Sequence, residues 1–259
     1  MSDKNFKFDA LVIGGGIAGL QSAIDLADQD FKVVIVEKNP SIGGNMIRLS
    51  KVFPTLDCAS CITTPKMAEA AHHPNITILT YSEVVGLIHT NGHYVAQVLK
   101  KPRFVDEDKC IGCRQCELNC PVMVPDPEQG NFVAKKAISI PFSNAIPQIA
   151  YLDPDWCMLC GKCAKICPKE AINYFQEPIN LNIEAKAVIV ATGFKLTTIE
   201  DKRQYGQGKI ENVITSLQME RLLAPHGPYN RVLRPSDGKE PESIAFIQCA
   251  GSRDKSIYL

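Results

Sequence analysis

The sequence predicts an α/β fold of the Rossmann type, interrupted by an inserted α+β domain, and three observations support this. The chain opens with strand, glycine turn, helix and second strand in "FDALVIGGGIAGLQSAIDLADQDFKVVIVEKNP". Its middle carries two copies of one cysteine pattern, CxxCxxCxxxCP. After the second copy, "INLNIEAKAVIVATG" returns to an apolar strand.

At 259 residues and 45% hydrophobic, the chain can bury a sizeable core as one large domain or two ordinary ones. Lys plus Arg and Asp plus Glu both total 28, so no net field recruits nucleic acid or an anionic membrane. The start, "MSDKNFKFDALVIGGG", runs from polar residues into a strand, without the basic and long apolar regions of a secretion signal. No window reaches the ~20 apolar residues of a spanning helix. The expectation is a cytoplasmic chain without direct membrane insertion.

In the opening unit, Val12 and Ile13 close the first strand, and Leu20, Ala23, Ile24 and Ala27 recur at helical spacing. Between them Gly14, Gly16 and Gly19 fit GxGxxG, with Gly15 inside the turn. The first glycine permits the turn, the second lets backbone N–H groups approach a pyrophosphate, and the third lets helix and strand pack closely. The second strand ends at Glu37, whose carboxylate can accept hydrogen bonds from an adenosine ribose. Lys38 follows, but does not by itself mark a 2′-phosphate site.

The first cysteine run holds Cys110, Cys113, Cys116 and Cys120, and the second holds Cys157, Cys160, Cys163 and Cys167. From Cys110 to Cys157 the repeat is offset by 47 residues. This is the spacing of two-cluster bacterial ferredoxins, in which three cysteines of a run hold one cubane and the fourth reaches the other. The prediction is two [4Fe–4S] clusters with crossed ligands: Cys110, Cys113, Cys116 and Cys167 on one, and Cys157, Cys160, Cys163 and Cys120 on the other. Zinc leaves no reason for four cysteines per run, and disulfides suit neither a reducing compartment nor such crowding. Arg114, Lys162 and Lys165 read as solvated charges, and the proline-rich stretch between the runs as a structured loop.

Before the runs, "NITILTYSEVVGLIHTNGHYVAQVLKKPRFV" alternates around an Asn91-Gly92 turn and reads as a hairpin. Residues 102–176 are therefore expected to interrupt a domain made of 1–101 and 177–259, with "SIAFIQCAGSRD" as a late strand and turn.

Two further stretches resemble flavoproteins of the type with two dinucleotide-binding domains. They are Gly43-Gly44 after the acidic strand end, and "AKAVIVATGF", with Ala191, Thr192 and Gly193 at the flavin-side turn. That resemblance implies FAD in preference to NAD. Cys249 stands where related reductases would start a second glycine motif, so a nicotinamide site is not expected.

Together with "GGNMIRLSKVFPTLDCASCITTPKM", "KPRFVDEDKCIGC", "KKAISIPFSNAIPQ", "VLRPSDGK" and "IAFIQCAGSRD", the chain resembles the A-type subunit of heterodisulfide reductase along nearly its whole length. The resemblance extends to the flavin subunits of quinone-interacting oxidoreductases. It implies an FAD and iron–sulfur electron-transfer oxidoreductase subunit in which electron pairs are split between ferredoxin and a heterodisulfide. The implied partners are B- and C-type subunits and a donor such as a hydrogenase, formate dehydrogenase or ferredoxin, with a homodimer also open. Longer relatives have a region before the glycine turn and continue past "CAGSRDKSIYL", so a truncated chain is expected.

Three cysteines stay outside the two runs. Cys58 and Cys61 form CxxC and read as a redox dithiol, as ligands of an additional cluster, or as two partly buried thiols. Cys249 could ligate a further cluster whose other ligands lie elsewhere. The competing functions are a flavin-dependent disulfide reductase using Cys58 and Cys61, and an inert fragment retaining only the ferredoxin module.

Overall fold

A computed structural model describes residues 4–197, 200–229 and 231–250. In chain order its strands are β1 (Lys4–Ile13), β2 (Val33–Val36), β3 (Lys51–Val52), β4 (Asp57–Cys58), β5 (Ile76–Leu79), β6 (Ser82–Thr90), β7 (His93–Lys100), β8 (Met123–Pro125), β9 (Ala134–Lys136), β10 (Ile138–Ser139), β11 (Tyr151–Leu152) and β12 (Ile179–Val190). The helices are α1 (Ile17–Ala27), α2 (Ala59–His72), α3 (Gln115–Asn119), α4 (Lys162–Ile166) and α5 (Ser216–Leu223). A 3-10 turn spans Gly44–Arg48.

Six strands form one sheet in the order β5-β2-β1-β12-β7-β6. The first four are parallel, and β7 and β6 run antiparallel to their neighbours. β2 reads Val-Val-Ile-Val and is buried throughout, because both faces of a central parallel strand are covered. On one face Leu20, Ala23, Ile24 and Ala27 of α1, and Met67 and Ala70 of α2, pack on Ala10, Val12, Val33 and Ile35. Full burial of a side chain such as Leu20 or Ile24 contributes about 2 kcal/mol. The opposite face gathers Leu11, Val34, Val36, Val98, Leu181 and Ile183.

The hairpin turns at Asn91 and Gly92, with φ of 49° and 77°. It does not form a separate sheet. Tyr94–Lys100 of β7 pairs with Ile179–Ala185 of β12, so the hairpin extends the central sheet directly.

Residues between β7 and β12 have a core of their own, with Val105, Val124, Ile138, Ile140, Ala150 and Leu152 buried around cysteines of both runs. This segment is tied to the sheet domain by more than its two chain crossings. Arg103, 1% exposed, donates from Nη2 to the Pro40 carbonyl at 2.7 Å and from Nε to Glu107 Oε1 at 2.8 Å. Ile42 N donates to Ile146 O at 3.0 Å, and Ile146 N donates to Ser41 Oγ at 2.9 Å. The proline-rich loop is structured: β8 pairs with β9, β10 pairs with β11, and Gly130 O accepts from Gln218 Nε2 of α5 at 3.0 Å.

Two expectations are corrected. The described part of "SIAFIQCAGSRD" is not a strand: Ile244, Phe246 and Ile247 are exposed, and no neighbour among the described residues completes a ladder for them. The remainder, from residue 251, lies outside the described residues. Arg114 is not simply solvated, since it donates to Glu117 and to the Phe142 carbonyl, each at 3.3 Å.

Candidate functional site

Three segments distant in sequence meet at the C-terminal end of the central strands, where open α/β sheets bind ligands. Gly14 follows β1, and its N–H donates to Val36 O at 2.9 Å. Gly16 caps α1, whose first N–H groups have no partner within the helix and favour an anion. Gly43 N donates to Gly15 O at 2.7 Å, so the glycine pair at 43 and 44 sits directly against the glycine turn. Ala191 N donates to Ile13 O at 2.8 Å and brings Thr192 and Gly193 to the same rim.

Glu37 is 4% exposed. Its Oε2 accepts from Gly15 N at 2.7 Å and its Oε1 from Asn39 N at 2.8 Å. The sequence did not foresee these bonds: the acid holds the turn in shape. Each carboxylate oxygen retains a second acceptor site for a ribose hydroxyl. Lys38 is exposed. Asn45, which no motif marks, donates from Nδ2 to Phe194 O at 3.2 Å and links the turn after Gly44 to the 191–193 rim. A Cβ on Gly16 would find only Gly44 Cα, at 3.9 Å, so the space above the turn is open for a pyrophosphate.

The eight run cysteines sort into two sets of four around two cavities. Cys110, Cys113, Cys116 and Cys167 line the first, with Val105, Ile140, Ala150 and Ile172. Cys120, Cys157, Cys160 and Cys163 line the second, with Val122, Ile138, Leu152 and Tyr174. The sorting has a local cause. Cys120 and Cys167 are the C-caps of α3 and α4, both extended, with ψ of 125° and 114°. Each precedes a proline, which disfavours helical conformation at the residue before it. The backbone repeat is also visible at the helix starts, where Arg114 and Gly161 are both left-handed.

These surroundings suit iron–sulfur clusters. The walls are largely apolar, and N–H groups point at sulfur: Leu159 N to Cys157 Sγ at 3.4 Å, and Ala171 N to Cys167 Sγ at 3.3 Å. Burial pushes the free Cys116 thiol up to about 12, a barrier that a coordinated metal removes by deprotonating it outright. Among the described residues no three His, Cys, Asp or Glu side chains converge on a single ion, so the thiols ring a volume instead.

Cys58 is the N-cap of the 14-residue α2, and Cys61 lies in its first turn, exposed. Burial raises the Cys58 thiol. The Cys61 thiol, the N–H groups of Cys61 and Ser60, and the Arg221 charge outweigh that and hold it below its ordinary value. Cys61 is raised by its hydrogen bond to Cys58 and by the charge there. Arg221, 2% exposed and not foreseen from sequence, donates to Gln129 Oε1 at 3.0 Å and to Arg48 O at 3.2 Å. Cys249 is exposed, with φ of 54°, in a stretch without regular structure.

Residues 12–59 match the family of NAD(P)-binding Rossmann-like domains, and residues 109–171 match the 4Fe-4S dicluster domain. Fold and site thus define the class: a Rossmann-like dinucleotide-binding unit carrying an iron–sulfur dicluster domain. The A-type subunit of the ferredoxin:CoB-CoM heterodisulfide reductase of Methanosarcina mazei is 47% identical over 96% of this chain and 32% of its own length. The A-type subunit of the H(2):CoB-CoM heterodisulfide,ferredoxin reductase of Methanothermobacter thermautotrophicus is 46% identical over 96% of this chain and 38% of its own. The chain is similar to these A-type heterodisulfide reductase subunits along nearly its whole length, and spans about a third of the length of the curated relatives it matches. A solved thioredoxin reductase of T. acidophilum aligns with 36% of this chain and 31% of its own at 25% identity, with a TM-score of 0.32. Among the described residues no helix is long and apolar enough to cross a membrane.

Proposed function

We propose that the chain is an electron-transfer segment of a heterodisulfide reductase-like oxidoreductase, with FAD at the glycine cradle and one [4Fe–4S] cluster in each cysteine cavity. The observation that carries this is the sorting of eight cysteines into two sets of four, in a segment docked through Ile146 on the loop that supports the cradle. When bound, the flavin supplies two-electron chemistry and the clusters supply one-electron chemistry.

The chain's own residues bind and orient these groups. The first turn of α1 and the glycine turn hold a pyrophosphate, Glu37 accepts from a ribose, and residues 191–193 border the far side of the cradle. Cys110, Cys113, Cys116 and Cys167 hold one cluster; Cys120, Cys157, Cys160 and Cys163 hold the other. Largely apolar side chains line both. This reading divides the chain into a flavin domain of 1–101 with 177–259 and a cluster domain of 102–176. It places the chain in the cytoplasm with B- and C-type subunits and a hydrogenase, formate dehydrogenase or ferredoxin as donor. The relatives' names pair a heterodisulfide with ferredoxin, and splitting of electron pairs between two such acceptors is the matching proposal for the whole assembly.

Protein purified without oxygen should contain about eight irons, about eight sulfides and one FAD per chain. Iron near four, or a single zinc, would overturn the cluster assignment; full iron with no flavin would overturn the assignment of the cradle.

The position and unequal thiols of Cys58 and Cys61 favour a second reading, a dithiol that reduces a small disulfide. Two thiol hydrogens pass to the substrate sulfurs, giving two thiols and a Cys58–Cys61 disulfide. Iodoacetamide should label Cys58 faster than Cys61 at neutral pH, with its rate reaching a plateau at lower pH, because thiolate is the nucleophile. Faster labelling of Cys61, or loss of iron in Cys58→Ser, would rule this reading out.

A further inference from the structure

Tyr174 stands seven residues past Cys167, on the wall of the second cavity. Its hydroxyl lies 3.0 Å from Cys163 Sγ, and Cys163 is its only hydrogen-bond partner among the described residues. A liganding thiolate has no proton, so the tyrosine must be the donor.

The first cavity has no counterpart. The repeat offset of 47 places Pro127 where Tyr174 stands, and none of the residues lining that cavity carries a hydroxyl. Backbone N–H donors, by contrast, serve both sets, through Ala171 to Cys167 and Leu159 to Cys157. The tyrosine bond is thus a device applied to one cluster and withheld from the other.

We propose that Tyr174 is a positioning residue for Cys163 that raises the reduction potential of the cluster held by Cys120, Cys157, Cys160 and Cys163. Reduction adds negative charge, part of which resides on the cysteine sulfurs. A donor aimed at one of them is therefore bound more strongly by the reduced state, and hydrogen bonds to the sulfurs tune cluster potential. The inference rests on the two-cluster reading above.

The test is Tyr174→Phe in the whole chain, purified without oxygen, with iron and sulfide counted before a redox titration followed by electron paramagnetic resonance. Iron and sulfide are expected to equal those of the unaltered chain. One midpoint should fall by up to a tenfold change in the one-electron equilibrium, about 59 mV, while the other stays in place. Two unmoved midpoints, two that fall together, or loss of iron in the variant would overturn the role assigned to Tyr174. Fewer than about eight irons in the unaltered chain would instead overturn the two-cluster reading itself.

Discussion

Gly16→Ala is expected to leave the chain folded but unable to hold its dinucleotide, whereas Gly19→Ala should damage the fold. The two glycines belong to one motif, yet the structure separates their roles. Gly16 has φ of −78°, open to any residue, and a Cβ there would lie 3.9 Å from Gly44 Cα, an ordinary contact. The methyl group would occupy the space above the first turn of α1 instead. Losing the close approach to the pyrophosphate should weaken binding by about 3 kcal/mol, roughly a hundredfold. At Gly19 a Cβ would sit 1.9 Å from the Gly14 carbonyl oxygen, so helix and strand would have to separate. Overpacking of this kind costs about 3 kcal/mol, which for a chain of this size is roughly 10 °C in melting temperature. Thermal melts by circular dichroism and flavin retention after gel filtration check both. Equal flavin retention by Gly16→Ala and the unaltered chain would show that the turn serves packing alone.

Removing Cys167 should cost the chain the cluster of the other run. Cys167→Ala is expected to halve the iron, from about eight to about four per chain, while the cavity of Cys120, Cys157, Cys160 and Cys163 stays loaded. Double variants distinguish crossed from local ligation. Cys113→Ala added to Cys167→Ala should remove no further iron, because both line the first cavity. Cys160→Ala added to Cys167→Ala should remove the rest, because Cys160 lines the second. If that second pair leaves four irons, each run keeps its own cluster and the crossed assignment fails.

Much of this architecture is legible in the order of residues, because its causes are local. The glycines at 14, 16 and 19 answer to turn geometry and close packing over a few residues. A proline after each fourth cysteine sends Cys120 and Cys167 out of their helices, so even the crossing of the two sets has a nearest-neighbour origin. The buried strand Val33–Val36 and the turn at Asn91-Gly92 are equally local signals.

What only tertiary structure decided are contacts between residues that no spacing relates. A strand needs a partner: the alternating hairpin found one in β12 and joined the main sheet, whereas the apolar residues 244–247 found none among the described residues and stay irregular. Arg103 and Arg221 look like ordinary surface charges in sequence. They are buried because carbonyls and side chains from other segments surround them, Pro40 for the first and Arg48 and Gln129 for the second. The bond from Tyr174 to Cys163 belongs to the same kind. The sequence determined which residues can ligate and where the chain turns, since these follow from covalent geometry and neighbours. Which polar group faces which sulfur is set by packing of the whole cluster segment, where long-range burial leaves a hydroxyl no other partner among the described residues.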